Sequence, residues 1–193
     1  MTEFPEGFLK GNTLTVAQQL IGTLLFHQSM DGPAGGIIVE TEAYLGPDDQ
    51  ASHASRGRTR RTETMFGPPG FAYIYLIYGM YNCLNVVTEP EGYPAAVLIR
   101  ALEPCIGQDL MRRRRPRTRR EEELANGPGK LCQALGVERG MNGWNLRTSA
   151  LRLAPGRTAG EIGAGPRIGV DYAGPWQEKP WRFYELGNRN LSR

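Results

Sequence analysis

The stretch "AYIYLIYGMYNCLNVVT", Ala72 to Thr88, decides the fold. Two apolar, β-branched and aromatic runs flank Gly79, and a glycine at a break between such runs predicts strand, tight turn, strand. The run is apolar enough for a core, yet it holds Tyr73, Tyr75, Tyr78 and Tyr81. A buried tyrosine must find a partner for its hydroxyl. Either these hydroxyls are satisfied inside, or some rings wait for a flat ligand. Strand alternation puts Tyr73 and Tyr75 on one face, with Tyr78, Gly79 and Met80 forming the turn and its shoulders.

Upstream, "TVAQQLIG" has Thr15 three residues before Gln18, a capping-box pattern that predicts a helix with Val16 and Leu20 on one face. "LLFHQ" and "GIIVETEAYL" predict strands joined across the turn residues "MDGPAGG". Residues 46–69 are polar and rich in Gly and Pro, which predicts a long loop, and loops of that length are usually functional. Downstream, "AAVLIRALEP" predicts a strand and "IGQDLMRRRR" a short helix stopped by Pro116. "GPGKLCQALG" predicts a helix with Pro128 near its first turn and Gly136 at its end. "ALRLAPG", "PRIGVDY" and "WRFYEL" read as short late strands. No repeat, linker or composition break divides residues 1–193, so one domain is expected. The irregular order of strands and helices predicts the α+β class: a curved, largely antiparallel sheet with short peripheral helices and a protruding β-hairpin.

The 193 residues suffice for one real core. No apolar stretch is long enough to span a membrane, and no signal-peptide pattern opens the chain. Three cysteines, Cys83, Cys105 and Cys132, without CxxC spacing point away from a disulfide framework and toward a reduced cytoplasmic compartment. Two histidines, His27 and His53, make a zinc site hard to assemble. The net charge is only +3, but arginines cluster in "RGRTRR" (Arg56–Arg61) and "RRRRPRTRR" (Arg112–Arg120). A polyanionic partner is one explanation. For the second run the alternative is a solvated face balanced by Glu121, Glu122 and Glu123.

In "IIVETEAYL" strand alternation puts Glu40, Glu42 and Tyr44 on one face. Carboxylates two apart lie roughly 6–7 Å apart at the backbone. They could form an acid/base pair, part of a divalent-metal site with Asp48 and Asp49, or an ordinary solvated edge.

Taken together, "IIVETEAYLGPDDQASHASRGRT", "YIYLIYGMYNCLNVV", "AVLIRALEP", "GPGKLCQALG" and, more weakly, "RIGVDYAGPW" and "KPWRFY" resemble the alkyladenine (3-methylpurine) DNA glycosylases of the vertebrate and bacterial type. The resemblance implies that Glu42 is the catalytic carboxylate and that Tyr44, His53 and Tyr75 sandwich a flipped base. It implies that Asn85 screens purines in the pocket and that Tyr78 intercalates, with Met80 beside it. Arg100 matches a DNA-backbone or pocket-supporting arginine, and Arg58, Arg61 and Lys130 are expected to give similar support. Glu40 has no catalytic role in the family, which counts against the acid/base pair. Other members often carry Pro and Asn where this chain has Arg60 and Thr62.

The expected enzyme is a monofunctional glycosylase in base excision repair. It would act as a cytoplasmic, nucleoid-associated monomer on double-stranded DNA containing damaged purines, with no metal, cofactor or membrane. Glu42 would activate a water to hydrolyse the N-glycosidic bond. Expected lesions are 3-methyladenine and, further, 7-methylguanine, hypoxanthine and ethenoadenine. The competing readings are a non-catalytic nucleic-acid-binding module and a metal-dependent hydrolase using Glu40, Glu42, Asp48 and Asp49. No role is derived for Tyr73 or Tyr81.

Overall fold

Strand β2, Gly32–Tyr44, is the spine of the molecule. The computed structural model describes residues 7–192. β1 (Leu24–Ser29) pairs with the first half of β2 and the late strand β8 (Arg182–Glu185) with its second half, so two strands share one edge. β5 (Ala96–Ile106) runs along the other edge. Outward from β5 come β4 (Tyr81–Val87) and β3 (Ala72–Ile77), the expected hairpin. Beyond β1 lies β6 (Leu151–Ala154), and β7 (Ile162–Gly165) covers β8. All these pairings are antiparallel, and the result is a single-domain α+β fold with a curled sheet.

The connection between β1 and β2 is shorter than expected, because Pro33 to Gly36 are already in the strand. Two glycines there have a steric reason. A Cβ on Gly36 would lie 2.7 Å from the Glu103 carbonyl oxygen, and one on Gly35 3.0 Å from that of Leu25. The β2–β5 register slips on both sides of Glu40. Such irregularities bend a strand and re-aim side chains. Here the slip lies opposite Arg100, between Ala101, which faces Glu40, and Ile99, which faces Thr41.

Helices cover the sheet's apolar face. α1 (Thr13–Gln19) buries Val16 and Ala17, with Leu20 at its C-cap. Its N-cap is Asn12, whose side chain accepts from the Leu14 and Thr15 amides, and not the Thr15 of the expected capping box. Thr15 is itself one of the orphan donors that the cap satisfies. α2 is Gln108–Arg114. α3 (Pro128–Leu135) buries Leu131, Cys132, Ala134 and Leu135 and ends at Gly136 with φ 69°. His27 Nδ1 lies 2.8 Å from the Leu135 carbonyl and ties β1 to that end. Fully burying a Leu or Ile here stabilises the fold by about 1.5–3 kcal/mol.

"PRIGVDY" is not a strand. Pro166 offers no amide to a ladder and Gly169 sits at φ 75°, so the chain turns and enters a 3₁₀ segment, Asp171–Glu178. Residues 46–69 hold no strand, but two 3₁₀ turns order them, His53–Arg56 and Glu63–Phe66. The second arginine run is partly structural. Arg112 pairs with Glu121, Arg114 donates to Ser29 Oγ at 2.7 Å, and Arg115 donates to the carbonyls of Glu123 and Leu124. Cys83, Cys105 and Cys132 are all unpaired thiols.

Candidate active site

The β3–β4 hairpin, the loop after β2 and the 166–172 turn enclose a cleft of about 630 Å³. That is the size range of small-molecule pockets. Tyr44, His53, Tyr75, Asn85, Arg100 and Tyr172 are among the residues lining it.

Glu42 lies directly behind the cleft wall, with no exposed surface. Its Oε1 accepts from the Ile168 amide at 2.7 Å and lies 3.2 Å from an Arg100 guanidinium nitrogen. Its Oε2 accepts from the Tyr44 hydroxyl at 2.7 Å. All three partners line the cleft, and all are donors, which suits an acceptor-only carboxylate. Burial opposes the charge on Arg100, but Glu42 and Glu40 more than offset it and raise its pKa. Burial and the adjacent Glu42 likewise push the Tyr44 phenol well above its ordinary value, so it remains a donor.

Glu40 does not share the Tyr44 and Ile168 partners of Glu42. It is also fully buried, with Oε1 3.3 Å from Arg100 Nε and 3.1 Å from an Arg182 nitrogen. Ser192 closes the cluster, its amide donating to Glu40 Oε2 at 2.6 Å and its hydroxyl lying 2.9 Å from Oε1. The acid/base pair suggested by strand parity is therefore wrong, because one of the two carboxylates is spent on a structural ion network. The metal reading fails on the same residues. Asp49 is held by both terminal nitrogens of Arg167 and by the Leu45 and Ala51 amides. Among the described residues no His, Cys, Asp or Glu cluster suits a metal.

Two of the rings lining the cleft, Tyr44 and Tyr75, come from different elements, each with a defined support. Tyr44 is backed by Arg167, whose guanidinium carbon is 4.7 Å from the ring centroid and which is fully buried. Arg167 also lies 5.0 Å from the Trp181 ring. Tyr75 lies beside its cross-strand partner Cys83, and burial raises the pKa of both groups. His53 packs edge-on against Tyr75, with centroids 4.5 Å apart. Its Nδ1 lies 2.9 Å from the Tyr73 hydroxyl and its Nε2 3.4 Å from an Arg61 nitrogen. Burial first, then Arg61 and Arg56, lower the His53 pKa to about 4, so the ring is neutral at pH 7.

Sequence reasoning left Tyr73 without a role, yet it orients His53. Asn85 donates from Nδ2 to the Tyr73 carbonyl at 3.1 Å, which fixes its amide at the cleft wall. Arg167 and Tyr172 were missed outright, and Asp49 was considered only as a metal ligand, not as the partner of Arg167. The run "RIGVDY" holds Arg167 and Tyr172, but a strand reading gave no reason to single them out.

At the hairpin tip, the Met80 amide donates to the Ile77 carbonyl across Tyr78 (φ 51°) and Gly79 (φ 67°). Two consecutive positive φ values are what a type I′ turn requires. Tyr78 is 83% exposed and Met80 68%. Of these two, Tyr78 reaches the cleft mouth. Tyr81 packs on α3, where a Cβ on Gly129 would lie 2.9 Å from its own Cβ.

The expected cationic supports diverge. Arg58 is committed to Glu63, at 2.6 and 3.0 Å, and lies over the Phe66 ring. Lys130 Nζ donates to Asn126 Oδ1 at 2.7 Å beside the cleft rim. Arg61 turns toward the aromatic wall, 5.3 Å from the Tyr75 centroid. Among the described residues no helix is long and apolar enough to cross a membrane.

Residues 7–189 match the family model described as methylpurine-DNA glycosylase. Three relatives are named "Putative 3-methyladenine DNA glycosylase". One, from Methanocella arvoryzae, is 50% identical over 100% of this chain and 97% of its own. Another, from Myxococcus xanthus, is 47% identical over 100% of this chain and 95% of its own. The third, from Bacillus cereus, is 47% identical over 98% of each. A match of that length and identity leaves no part of the described fold unaccounted for, and the chain belongs to the methylpurine-DNA glycosylase family, the DNA glycosylases of base excision repair.

Proposed function

We propose that the protein rotates a damaged purine nucleotide out of duplex DNA into this cleft and hydrolyses its N-glycosidic bond with water activated by Glu42. The observation that carries the reading is a fully buried carboxylate whose three polar partners, the Tyr44 hydroxyl, the Arg100 guanidinium and the Ile168 amide, belong to residues that all line an aromatic cleft.

Extruding a base costs a few kcal/mol of stacking and pairing, less for a damaged base. Tyr78 at the exposed tip supplies a ring to fill the gap left in the stack, as apolar wedges do in other DNA-kinking proteins. The extruded purine lies between Tyr44 and Tyr75, with His53 at its edge and Asn85 at the wall. Stacking of this kind is worth roughly 1–3 kcal/mol per base.

Glu42 then takes a proton from a water aimed at the sugar C1′ and stabilises the positive charge that develops there. Arg100 holds the carboxylate in place. The Tyr44 hydroxyl occupies Oε2 in the free protein, so it must share that oxygen with the incoming water. A cationic base such as 3-methyladenine leaves without protonation. No lysine lines the cleft among the described residues, so hydrolysis to an abasic site is preferred over a Schiff-base route. The lesion set extends from 3-methyladenine to 7-methylguanine, hypoxanthine and ethenoadenine, and the protein acts as a monomer.

The test uses duplexes carrying one lesion each, followed by alkaline cleavage at abasic sites. Glu42→Gln should abolish cleavage and retain binding to a duplex with an abasic-site analogue. Normal turnover by that variant would sink the assignment.

A further inference from the structure

Both aromatic walls of the cleft carry a guanidinium. Behind Tyr44 sits Arg167, fully buried and therefore on the ring face away from the cleft. Asp49 neutralises it through a two-point ion pair. At Tyr75 the second guanidinium, Arg61, is different. It is exposed, and among the described residues no carboxylate forms an ion pair with it. Its neighbours are the Tyr75 ring at 5.3 Å and His53 Nε2 at 3.4 Å. Both groups belong to the base slot, and the Tyr73 hydroxyl, which Arg61 also approaches, supports it through His53.

A cation within about 6 Å of a ring centroid engages the ring's negative face. That face attracts a cationic purine for the same reason. An arginine at that ring weakens its negative potential and repels a cationic base through space. A neutral base stacks mainly by dispersion and loses much less. Of the other charges near the slot, Glu42 behind its wall and Arg100 in it are bound to each other at 3.2 Å, while Arg56 is a second cation felt at His53. Arg61 is thus an uncompensated charge held directly at the Tyr75 ring. Its field is felt at His53, where it adds to burial in holding the imidazole neutral.

We propose that Arg61 is a specificity-determining residue, a charge filter that shifts this slot away from cationic alkylpurines and toward neutral lesions. The inference rests on the glycosylase reading above. It makes Arg61 more than a phosphate contact, because loss of a phosphate contact would weaken binding to every duplex alike.

The experiment compares wild type, Arg61→Gln and Arg61→Lys on two otherwise identical duplexes, one with 7-methylguanine (cationic) and one with hypoxanthine (neutral). The readout is the ratio of single-turnover excision rates. Where only one lesion is cut, it is the ratio of Kd values in a Glu42→Gln background. Arg61→Gln should raise the ratio for 7-methylguanine over hypoxanthine by about two- to fivefold, the range that a partly exposed cation–π contact supports. Arg61→Lys should keep most of the wild-type ratio. A ratio unchanged in Arg61→Gln, or shifted toward hypoxanthine, overturns the proposal while leaving the glycosylase reading intact. A wild-type protein that neither binds nor cuts any lesion duplex overturns both.

Discussion

Arg100 joins Glu40 to Glu42: its Nε lies 3.3 Å from Glu40 Oε1 and another guanidinium nitrogen 3.2 Å from Glu42 Oε1. One arginine thus serves a structural carboxylate and the candidate catalytic one. The register slip around Glu40 in β2 puts Arg100 between them. Arg182 and Ser192 complete the shell around Glu40.

Glu40→Gln should therefore damage stability first. Removing one charge of a buried network leaves its partner uncompensated, at a cost of about 3–5 kcal/mol. Urea unfolding should show that loss. Excision per folded molecule should fall less than in Glu42→Gln, because Arg100 keeps its contact with Glu42. An unfolding midpoint equal to that of wild type would show that the network holds nothing together.

The local signals in the sequence were good guides where structure is local. Gly79 between two β-rich runs located the hairpin, and Pro128 and Gly136 bracketed α3. Glu42, Tyr44, His53 and Tyr75 were reachable through long, specific motifs. What stayed hidden depends on contacts across the chain. Asp49 and Arg167 are 118 residues apart, and Glu40 and Ser192 are 152 apart. No periodicity or spacing encodes such pairs. Strand parity misassigned Glu40 because it describes an ideal ladder, and this ladder slips at that residue. Tyr73 looked like packing because its role is a single hydroxyl bond to a loop histidine.

His53 makes a pH prediction with a definite sign. Burial, Arg61 and Arg56 lower its pKa from the ordinary 6.5 to about 4. Between those values the unfolded chain binds the proton and the folded chain does not. Its contribution to stability is therefore fully present above pH 6.5 and is lost as pH falls toward 4. Binding of a lesion duplex should show no His53 step between pH 6 and 8. The His53 ring resonances in an NMR titration should stay at their neutral positions across about pH 5.5–8, and Arg61→Gln should move the midpoint up toward 6.5. A wild-type midpoint between pH 6 and 7 would refute the assigned environment.

Tyr78 separates stability from function at the hairpin tip. It holds φ 51°, a left-handed conformation that costs a bulky L-residue about 1–2 kcal/mol. It is also 83% exposed, so packing returns little of that cost. A strained, exposed ring at a cleft mouth is expected where the ring meets a partner, which in the proposed mechanism is the gap in a base stack. Asparagine adopts this conformation more readily, so Tyr78→Asn should leave Tm unchanged or raise it slightly. The same variant should lose at least about tenfold in excision from intact duplex, since 1.4 kcal/mol of lost stacking corresponds to that factor. Excision of a lesion placed opposite a gap, where the stack is already broken, should change much less. Equal losses on the two substrates would remove the wedge from the mechanism, and a clear drop in Tm would mean that Tyr78 is there to hold the hairpin.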